Sequence, residues 1–455
     1  MVKTFRSHLE YLESQGKLLR VKKEVRTKHE IAAGIRKISD TDGPALIFEN
    51  IKNHSNWKVA GGLFGTRKLI SLALGCEDDE VKLQQKYLEF DQKRIKPKIV
   101  STGPVKDVIW KGDKVDLGKL PIPTYCEYDA GPYLAAGVEI GKHPDTGIQN
   151  VSVQRRMILS KNETTLQALY PQHIGMMVRT AEERGESLGV ATVIGPPPAM
   201  TIASQIRAPY GVDETEIAGA IIGEPIEMVK CETIDVYVPA NAEVVIEGMT
   251  IPNERVADGP FGEVTGTYGV TWDPNNLTFQ VYKVKITAIT MRKDPIFHAM
   301  LSGMPMTEVN WVKKYAQEAA LYRHICSIVP DSDDIKGINL TPGGGTTHHA
   351  VISIHKKSEG VPRNIILSLL AGRSFIWRVI VVDEDIDIYD PEKVEWAIMS
   401  RVSLDKDLYI MPSQGAPLPI PLYLNKWGID ATVQLGEKKK YYYAHVPGVE
   451  DVDYV

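Results

Sequence analysis

Residues 257–266 read ADGPFGEVTG and form the most distinctive local pattern in this 455-residue chain. Two carboxylates, Asp258 and Glu263, lie five residues apart, with glycine and proline between them. Glycine and proline fix a turn and leave little side-chain bulk beside the acids, so a ligand could approach them closely. The same pattern is typical of a β-turn that carries two solvated acids, and spacing alone leaves both interpretations open.

A second pattern lies about a hundred residues earlier, where residues 150–156 read NVSVQRR. Strand alternation places Arg155 on the same face as Val151 and Val153, toward an apolar interior. A buried arginine needs an anionic partner. A structural ion pair satisfies this need, and so does a substrate carboxylate, because a guanidinium binds a carboxylate with two parallel hydrogen bonds.

Two further polar residues lie near expected helix starts. His173 precedes a helix that the pattern ends at Gly185, and Glu214 lies in the run GVDETE before an Ala/Gly-rich helix. A single histidine in such a place is commonly structural, and acids in a first turn complement the helix dipole. Neither residue indicates chemistry by itself.

The wider chain predicts a mixed α/β fold. Helices and strands alternate before residue 105 and again after 305, and the middle consists of short β-rich runs separated by Pro and Gly. The segments are predicted as helices at 5–15, 29–39, 68–74 and 308–322, and as strands at 18–25, 45–48, 136–140, 150–159, 226–238, 243–246, 278–291, 350–354 and 379–382. Asp390-Pro391 is a typical helix start.

Three domains follow from this pattern. We predict an N-terminal α/β domain over 1–105, a central split β-barrel domain over 106–304 and a C-terminal α/β domain over 305–455. The charged and aromatic tail at 435–455 is expected to pack on a neighbouring subunit.

Composition limits the class of protein. A net charge of −5 argues against nucleic acid or an anionic membrane as a partner. No apolar run reaches the roughly 18 residues of a membrane span, and no signal-peptide core follows Met1, so a cytoplasmic location is expected. The four cysteines form no CxxC pair, which favours reduced thiols over disulfides or a zinc site.

Together these features resemble the UbiD family of decarboxylases over nearly the whole chain. The DGPFGE run at 258–263 is the most specific part of the resemblance. Shorter matching runs lie at 17–21, 61–67, 194–198, 223–225, 238–240 and 381–387. The resemblance implies a carboxy-lyase that reversibly decarboxylates an aromatic or α,β-unsaturated acid without oxidation, with a catalytic set of Arg155, Asp258 and Glu263.

The resemblance also implies the mechanism. Prenylated FMN would form a covalent adduct with the carbon that bears the carboxylate, and CO2 would leave. Arg155 would orient the carboxylate, Asp258 would be the ion-pair partner of Arg155, and Glu263 would protonate the remaining carbon.

Cofactor binding is implied residue by residue. In the family a divalent metal, usually Mn²⁺, bridges the cofactor phosphate, and its ligands correspond to Asn150, His173 and Glu214. Oxygen and nitrogen ligands suit such a hard ion, and the family pattern also allows K⁺. The positions expected to contact the flavin or its phosphate are Asn150, Ser152, Val153, Gln154, Arg155, Gln172, His173, Ser204, Glu214 and Arg378.

The chain departs from the family pattern at two places. Asp258 stands where many relatives have glutamate, which shortens the partner of Arg155 by one methylene. Trp377 stands where relatives tend to carry a lysine for the flavin phosphate. Arg378 is the candidate replacement, although adjacent strand residues point to opposite faces.

The expected partners are a small carboxylic acid, CO2, a flavin prenyltransferase that supplies the cofactor, and copies of this chain in a homodimer or homohexamer. Leu169, Val264 and residues 304–308 are expected to line the substrate pocket. If Glu308 faces the substrate, it disfavours a second anionic group there; if it faces away, it decides nothing.

Three alternatives stay open. The first is decarboxylation of an anhydromevalonate phosphate in archaeal isoprenoid synthesis, and the second is carboxylation in the reverse direction. The third is a non-catalytic protein that binds or stores prenylated flavin, against which the intact Arg155, Asp258 and Glu263 set argues.

Overall fold

The computed structural model describes residues 2–90, 92–268, 279–304, 306–372, 375–412, 425–437, 440–441, 444 and 446–448. They form two compact units, and the boundary follows Ala320. Within these ranges no helix is both long and apolar enough to span a bilayer. Most of the tail predicted at 435–455 lies outside the described residues.

The helices of the first unit are short, with the last as the exception. They are α1 (Phe5–Ser14), α2 (Glu30–Asp40), α3 (Arg67–Leu74), α4 (Glu80–Phe90), α5 (His173–Glu182), α6 (Pro198–Ala203), α7 (Glu214–Ile222) and α8 (Glu308–Cys326), which contains the boundary. Thr4 and Ser7 form a capping box on α1. Asp213 caps α7, because its side chain accepts a hydrogen bond from Thr215 N.

The strands of the first unit are mostly short. They are β1 (Leu18–Val21), β2 (Ala45–Phe48), β3 (Lys58–Gly61), β4 (Lys98–Val100), β5 (Val108–Lys111), β6 (Tyr133–Leu134), β7 (Val138–Lys142), β8 (Gln149–Val153), β9 (Arg156–Ser160), β10 (Glu163–Leu166), β11 (Gly189–Ile194), β12 (Glu227–Lys230), β13 (Tyr237–Pro239), β14 (Val244–Asp258), β15 (Phe279–Met291) and β16 (Ile296–Ala299).

These strands pair into three sheets. A four-stranded sheet has the order β1-β2-β3-β16, and a three-stranded sheet has the order β13-β12-β4. The large sheet has the order β6-β9-β10-β15-β14-β11-β7-β8, with β5 also paired to β15, and all of its pairings are antiparallel. The mixed α/β class is thus confirmed, and the predicted β-rich region corresponds to this sheet.

The strand predicted at 150–159 is wrong in one respect that matters for the site. The chain leaves the sheet after Val153 and begins a new strand at Arg156. The physical reason is the pairing order: β8 pairs with β7 at one end of the sheet, and β9 pairs with β6 and β10 at the other. Arg155 therefore lies in the crossing segment and not on the strand.

Other boundaries also shift. The run 226–238 contains two strands, β12 and β13, and the predicted strand 243–246 is the start of the 15-residue β14. Alternating hydrogen bonds with β15 carry β14 through to Asp258. The first acid of the DGPFGE run therefore ends a strand, whereas the sequence placed both acids in a turn.

The second unit is an α/β layer. Its elements are β17 (Ile335–Leu340), β18 (His349–Ile354), α9 (Gly360–Ala371), β19 (Arg378–Asp383), α10 (Pro391–Arg401), α11 (Leu404–Asp407), β20 (Leu408–Met411) and β21 (Lys426–Ala431). The sheet order is β17-β18-β19-β21-β20. Asp390 accepts hydrogen bonds from Glu392 N and Lys393 N, so the helix start expected there is present.

Candidate active site

Arg155 is the cation at the centre of the candidate site. Its Nε and Nη2 donate to Asp258 Oδ2 at 3.0 and 2.8 Å, and its Nη1 contacts Glu263 Oε1. The ring of Phe261 lies 4.9 Å from the guanidinium carbon. Arg155 is buried, so one cation is held between two carboxylates and an aromatic face with little access for water.

Asp258 holds this cation from inside the sheet. It is completely buried at the end of β14, and its Oδ1 accepts a hydrogen bond from Thr165 Oγ1 at 2.8 Å. Thr165 lies on β10 and was missed in the sequence, because an isolated threonine in a strand carries no signal for this contact. Both oxygens of Asp258 are therefore satisfied by buried partners, and the carboxylate has one fixed orientation.

Glu263 is held by the turn that follows. Its backbone N–H donates to Thr267 O at 2.8 Å, and its C=O accepts from Gly266 N at 2.9 Å. Asp129 fixes the preceding residue, because Asp129 Oδ1 accepts from Gly262 N at 2.8 Å. Burial raises the pKa of Asp129 above its usual range. No pattern in the sequence indicated Asp129, which lies more than a hundred residues before Gly262.

A cavity of about 370 Å³ opens beside Glu263, within the size range of small-molecule sites. Its wall includes Tyr125, Glu263, Leu301 and Met304. Met304 was expected there, whereas Leu169 and Val264 are not among the described residues that line it. A place for Leu169 and Val264 in the substrate pocket stays a prediction, and Pro305 lies outside the described residues.

Glu308 faces away from this cavity. It is fully buried, its Oε1 accepts a hydrogen bond from Phe64 N at 3.4 Å, and the same oxygen lies 3.6 Å from His298 Nε2. Of the two orientations left open above, the structure has the one in which Glu308 does not face this cavity.

The three predicted metal ligands come together at a second place in the first unit. Glu214 accepts from Asn150 Nδ2 at 3.1 and 3.2 Å and from Val151 N at 2.7 Å. His173 Nδ1 lies 3.9 Å from Glu214 Oε1. β8, the start of α5 and the start of α7 supply these residues, which are far apart in sequence.

The donor set fits a divalent cation. Burial raises the pKa of Glu214 to about 8 and lowers the pKa of His173, as expected where nearby positive charge is lacking. Asn150 Oδ1 is buried with no hydrogen-bond partner among the described residues. No group of three or more His, Cys, Asp or Glu side chains in the described ranges could hold a metal, so this set depends on the asparagine oxygen.

The remaining predicted cofactor residues divide between the two units. Gln154 Nε2 lies 3.4 Å from Ser152 Oγ and 3.5 Å from Gln172 Oε1, so these three side chains form one polar group beside the half-buried Val153. Ser204 is buried at the end of α6 and donates to Thr201 O at 2.6 Å.

Arg378 lies in the second unit, as the first residue of β19. Its guanidinium carbon lies 4.5 Å from the ring of Trp427, and burial lowers its pKa. A role for Arg378 in binding the flavin phosphate stays a prediction.

A second buried arginine was not anticipated. Arg156 is fully buried, and its Nη1 donates to Glu139 Oε1 at 3.3 Å and to Thr192 Oγ1 at 2.5 Å. The adjacent residues Arg155 and Arg156 are both buried because the first lies in the segment between β8 and β9 and the second begins β9. Arg156 pairs with Glu139 of the same sheet, whereas Arg155 contacts Glu263.

The fold and this arrangement are those of one family of decarboxylases. Family models of 3-octaprenyl-4-hydroxybenzoate carboxy-lyase match the chain with an N-terminal domain over 9–84, a Rift-related domain over 98–305 and a C-terminal domain over 310–431. The chain belongs to the UbiD family and is a carboxy-lyase. The resemblance and the enzyme class are confirmed, and the domain boundaries at 105 and 304 stay a prediction.

Individual relatives match over nearly their whole length. The chain is 33% identical over 431 residues to an anhydromevalonate phosphate decarboxylase of Methanothermobacter thermautotrophicus, covering 92% of this chain and 95% of the relative. It is 34% identical over 451 residues to the enzyme of that name from Methanosarcina mazei, covering 98% and 99%.

Solved structures also match nearly the whole chain. An evolved dimeric form of the UbiD-class enzyme HmfF from Pelotomaculum thermopropionicum, in complex with prFMN, is 36% identical with a TM-score of 0.88, covering 100% of this chain and 99% of HmfF. The closed form of vanillic acid decarboxylase from Sedimentibacter hydroxybenzoicus is 29% identical with a TM-score of 0.86, covering 99% and 97%.

Proposed function

We propose that this chain is a prenylated-FMN-dependent decarboxylase that reversibly and non-oxidatively removes CO2 from an aromatic or α,β-unsaturated carboxylic acid. The observation that carries the proposal is the buried Arg155, held between Asp258 and Glu263, with Glu263 on the wall of a ligand-sized cavity. The HmfF structure with bound prFMN supports the choice of cofactor.

The residues of the chain have separate roles in the reaction. Arg155 binds and orients the substrate carboxylate, and Asp258 holds Arg155 in place through two hydrogen bonds. Prenylated FMN, when bound, supplies the electron sink that allows the bond to the carboxylate carbon to break. Glu263 delivers a proton to the substrate carbon that lost the carboxylate. Burial of the set limits competing protonation from water.

Mn²⁺ would be held by Asn150, His173 and Glu214, where it would neutralise the buried carboxylate and supply positive charge for the cofactor phosphate. K⁺ is a further candidate ion. Ser152, Gln154 and the neighbouring polar groups described above would contact the flavin.

Decarboxylation of anhydromevalonate phosphate is the second candidate function. It is favoured by two relatives of that name, which match more than nine tenths of this chain at 33% and 34% identity. The non-catalytic flavin-binding alternative is disfavoured, because storage requires the phosphate and metal contacts but not a proton donor beside a cavity.

Turnover by the loaded protein tests the proposal. The chain is co-expressed with a flavin prenyltransferase, the absorbance spectrum reports the bound cofactor, and CO2 release is measured over a panel of acids. Glu263→Gln is expected to keep the cofactor and to lose turnover and deuterium incorporation into product. The control is Glu254→Gln, which alters a partly exposed ion pair with Lys283. Bound cofactor with no turnover of any acid favours the storage alternative, and wild-type rates in Glu263→Gln refute the assigned proton donor.

The assembly and location of the protein belong to the proposal as well. We expect a homodimer or homohexamer in the cytoplasm, supplied with cofactor by a flavin prenyltransferase. Light scattering coupled to size-exclusion chromatography distinguishes the two assemblies, because their masses differ threefold.

A further inference from the structure

The cavity beside Glu263 extends to one face of α2. This face contributes Ala32, Ala33 and Arg36, and His29 lies immediately before the helix. The two alanines leave space at the wall, and the arginine places a cation on the same cavity as Glu263. No residue of α2 was predicted to belong to the site.

The described residues that line the cavity include two basic and two acidic side chains, which differ in their partners and exposure. Among the described lining residues the basic ones are Arg36 and His29, and the acidic ones are Glu127 and Glu263. Glu263 contacts Arg155, and Glu127 is exposed to solvent. Glu308 could have opposed an anion here, but it is buried against His298 and the backbone of Phe64.

Arg36 is held where a ligand could reach it. Its Nη2 donates to Asp40 Oδ1 at 2.6 Å, one turn further along α2, and lies 3.4 Å from Met306 O. Asp40 exposes 41% of its side chain and Arg36 exposes 25%, so their ion pair is a surface pair of about 1 kcal/mol or less. Such a pair positions the guanidinium without preventing it from binding a stronger anion.

We propose that Arg36, on the same cavity wall as His29, binds a second anionic group of the substrate, a carboxylate or phosphate remote from the carboxylate that is lost. The inference rests on the proposed decarboxylase function and narrows its substrate class to acids with two anionic groups. Arg155 and Arg36 would then bind the two ends, so that the scissile carboxylate is presented to Glu263 in a single direction.

Matched substrate pairs test the inference. One pair is anhydromevalonate phosphate and its dephosphorylated acid, and the other is an aromatic dicarboxylate and the corresponding monocarboxylate. The wild-type holoenzyme is expected to prefer the doubly anionic member of at least one pair by about 10- to 100-fold in kcat/KM, as one charge-assisted contact provides. The pair that shows the preference identifies the group as phosphate or carboxylate.

Variants of Arg36 assign the preference to this residue. Arg36→Met is expected to lower it about tenfold or more and to leave kcat/KM for the singly anionic acid within about threefold, and Arg36→Lys to keep part of it. The matched control is Arg26→Met, which removes another arginine paired with an acid four residues on, outside the cavity. Equal rates on both members of both pairs, or equal effects of Arg36→Met and Arg26→Met, overturn the inference.

Binding to cofactor-free protein separates this inference from the proposed function. Titration calorimetry with anhydromevalonate phosphate and with the aromatic dicarboxylate is expected to show binding of one of them that Arg36→Met weakens at least tenfold and Arg26→Met does not. If the loaded enzyme decarboxylates no acid while this difference persists, the proposed function fails and the anion site stands. If acids are decarboxylated but neither dianion binds more weakly to Arg36→Met, the anion site fails alone.

Discussion

Replacing Asp258 by asparagine tests whether Arg155 depends on its buried partner. The substitution keeps the shape of the side chain and removes the charge that accepts from Arg155 Nε and Nη2. Complete loss of a buried ion-pair partner costs about 3–5 kcal/mol. Glu263 still contacts Arg155 in the variant, so we expect a smaller cost of about 2–3 kcal/mol.

Hydrogen exchange measures this cost locally, because a chain of two compact units is not expected to unfold in one step. In peptides that cover β14, 2–3 kcal/mol corresponds to about 30- to 150-fold faster exchange. Glu139→Gln is the matched control, since Arg156 keeps no second carboxylate partner among the described residues. Its effect in β7 should be larger. Exchange in Asp258→Asn within about threefold of wild type, or the reverse order of the two variants, would refute the reasoning.

Three further outcomes are expected. Glu214→Gln weakens Mn²⁺ binding at least tenfold in calorimetry, whereas Glu216→Gln in the same helical turn does not; equal affinities contradict the metal site. Burial lowers the pKa of His8 to about 4, below the roughly 6.5 of an unfolded histidine, so the unfolded state binds more protons between these values. The free energy of unfolding in urea therefore rises from pH 4 to 6.5, and His8→Phe should flatten that rise. An unchanged slope in this variant contradicts the contribution of His8. A Cβ on Gly262 would lie 2.5 Å from Cys126 Sγ, so Gly262→Ala should shift Glu263 and lower kcat, and adding Cys126→Ala should restore part of the rate; no rescue would place the defect elsewhere.

Local sequence signals were reliable where the cause was local. The strand Ala45–Phe48, the helix Arg67–Leu74 and the helix that follows Asp390 lie close to where the sequence predicts them. The prediction of one strand at 150–159 was wrong. The break at Gln154 is set by the strands with which the two halves pair, and not by the residues of the segment itself.

The residues of the candidate site also fall into those that a sequence pattern indicated and those that none did. The DGPFGE run and its family resemblance pointed to Asp258 and Glu263, and both contact Arg155 in the structure. Thr165 and Asp129, which fix Asp258 and the residue before Glu263, had no signal in the sequence. Each of these two contacts joins residues about a hundred positions apart in the chain, and no local pattern encodes such a contact.

The sequence by itself determined the family, the enzyme class and the residues that carry charge, because motif residues and their order are properties of the sequence alone. Only the tertiary structure decided that Arg155 lies between two strands and not on one, that Glu308 turns away from the cavity, and that α2 adds Arg36 to its wall. The physical reason is that a side chain's partner and direction follow from which strands pair and which helix packs beside them, and these are properties of the whole fold.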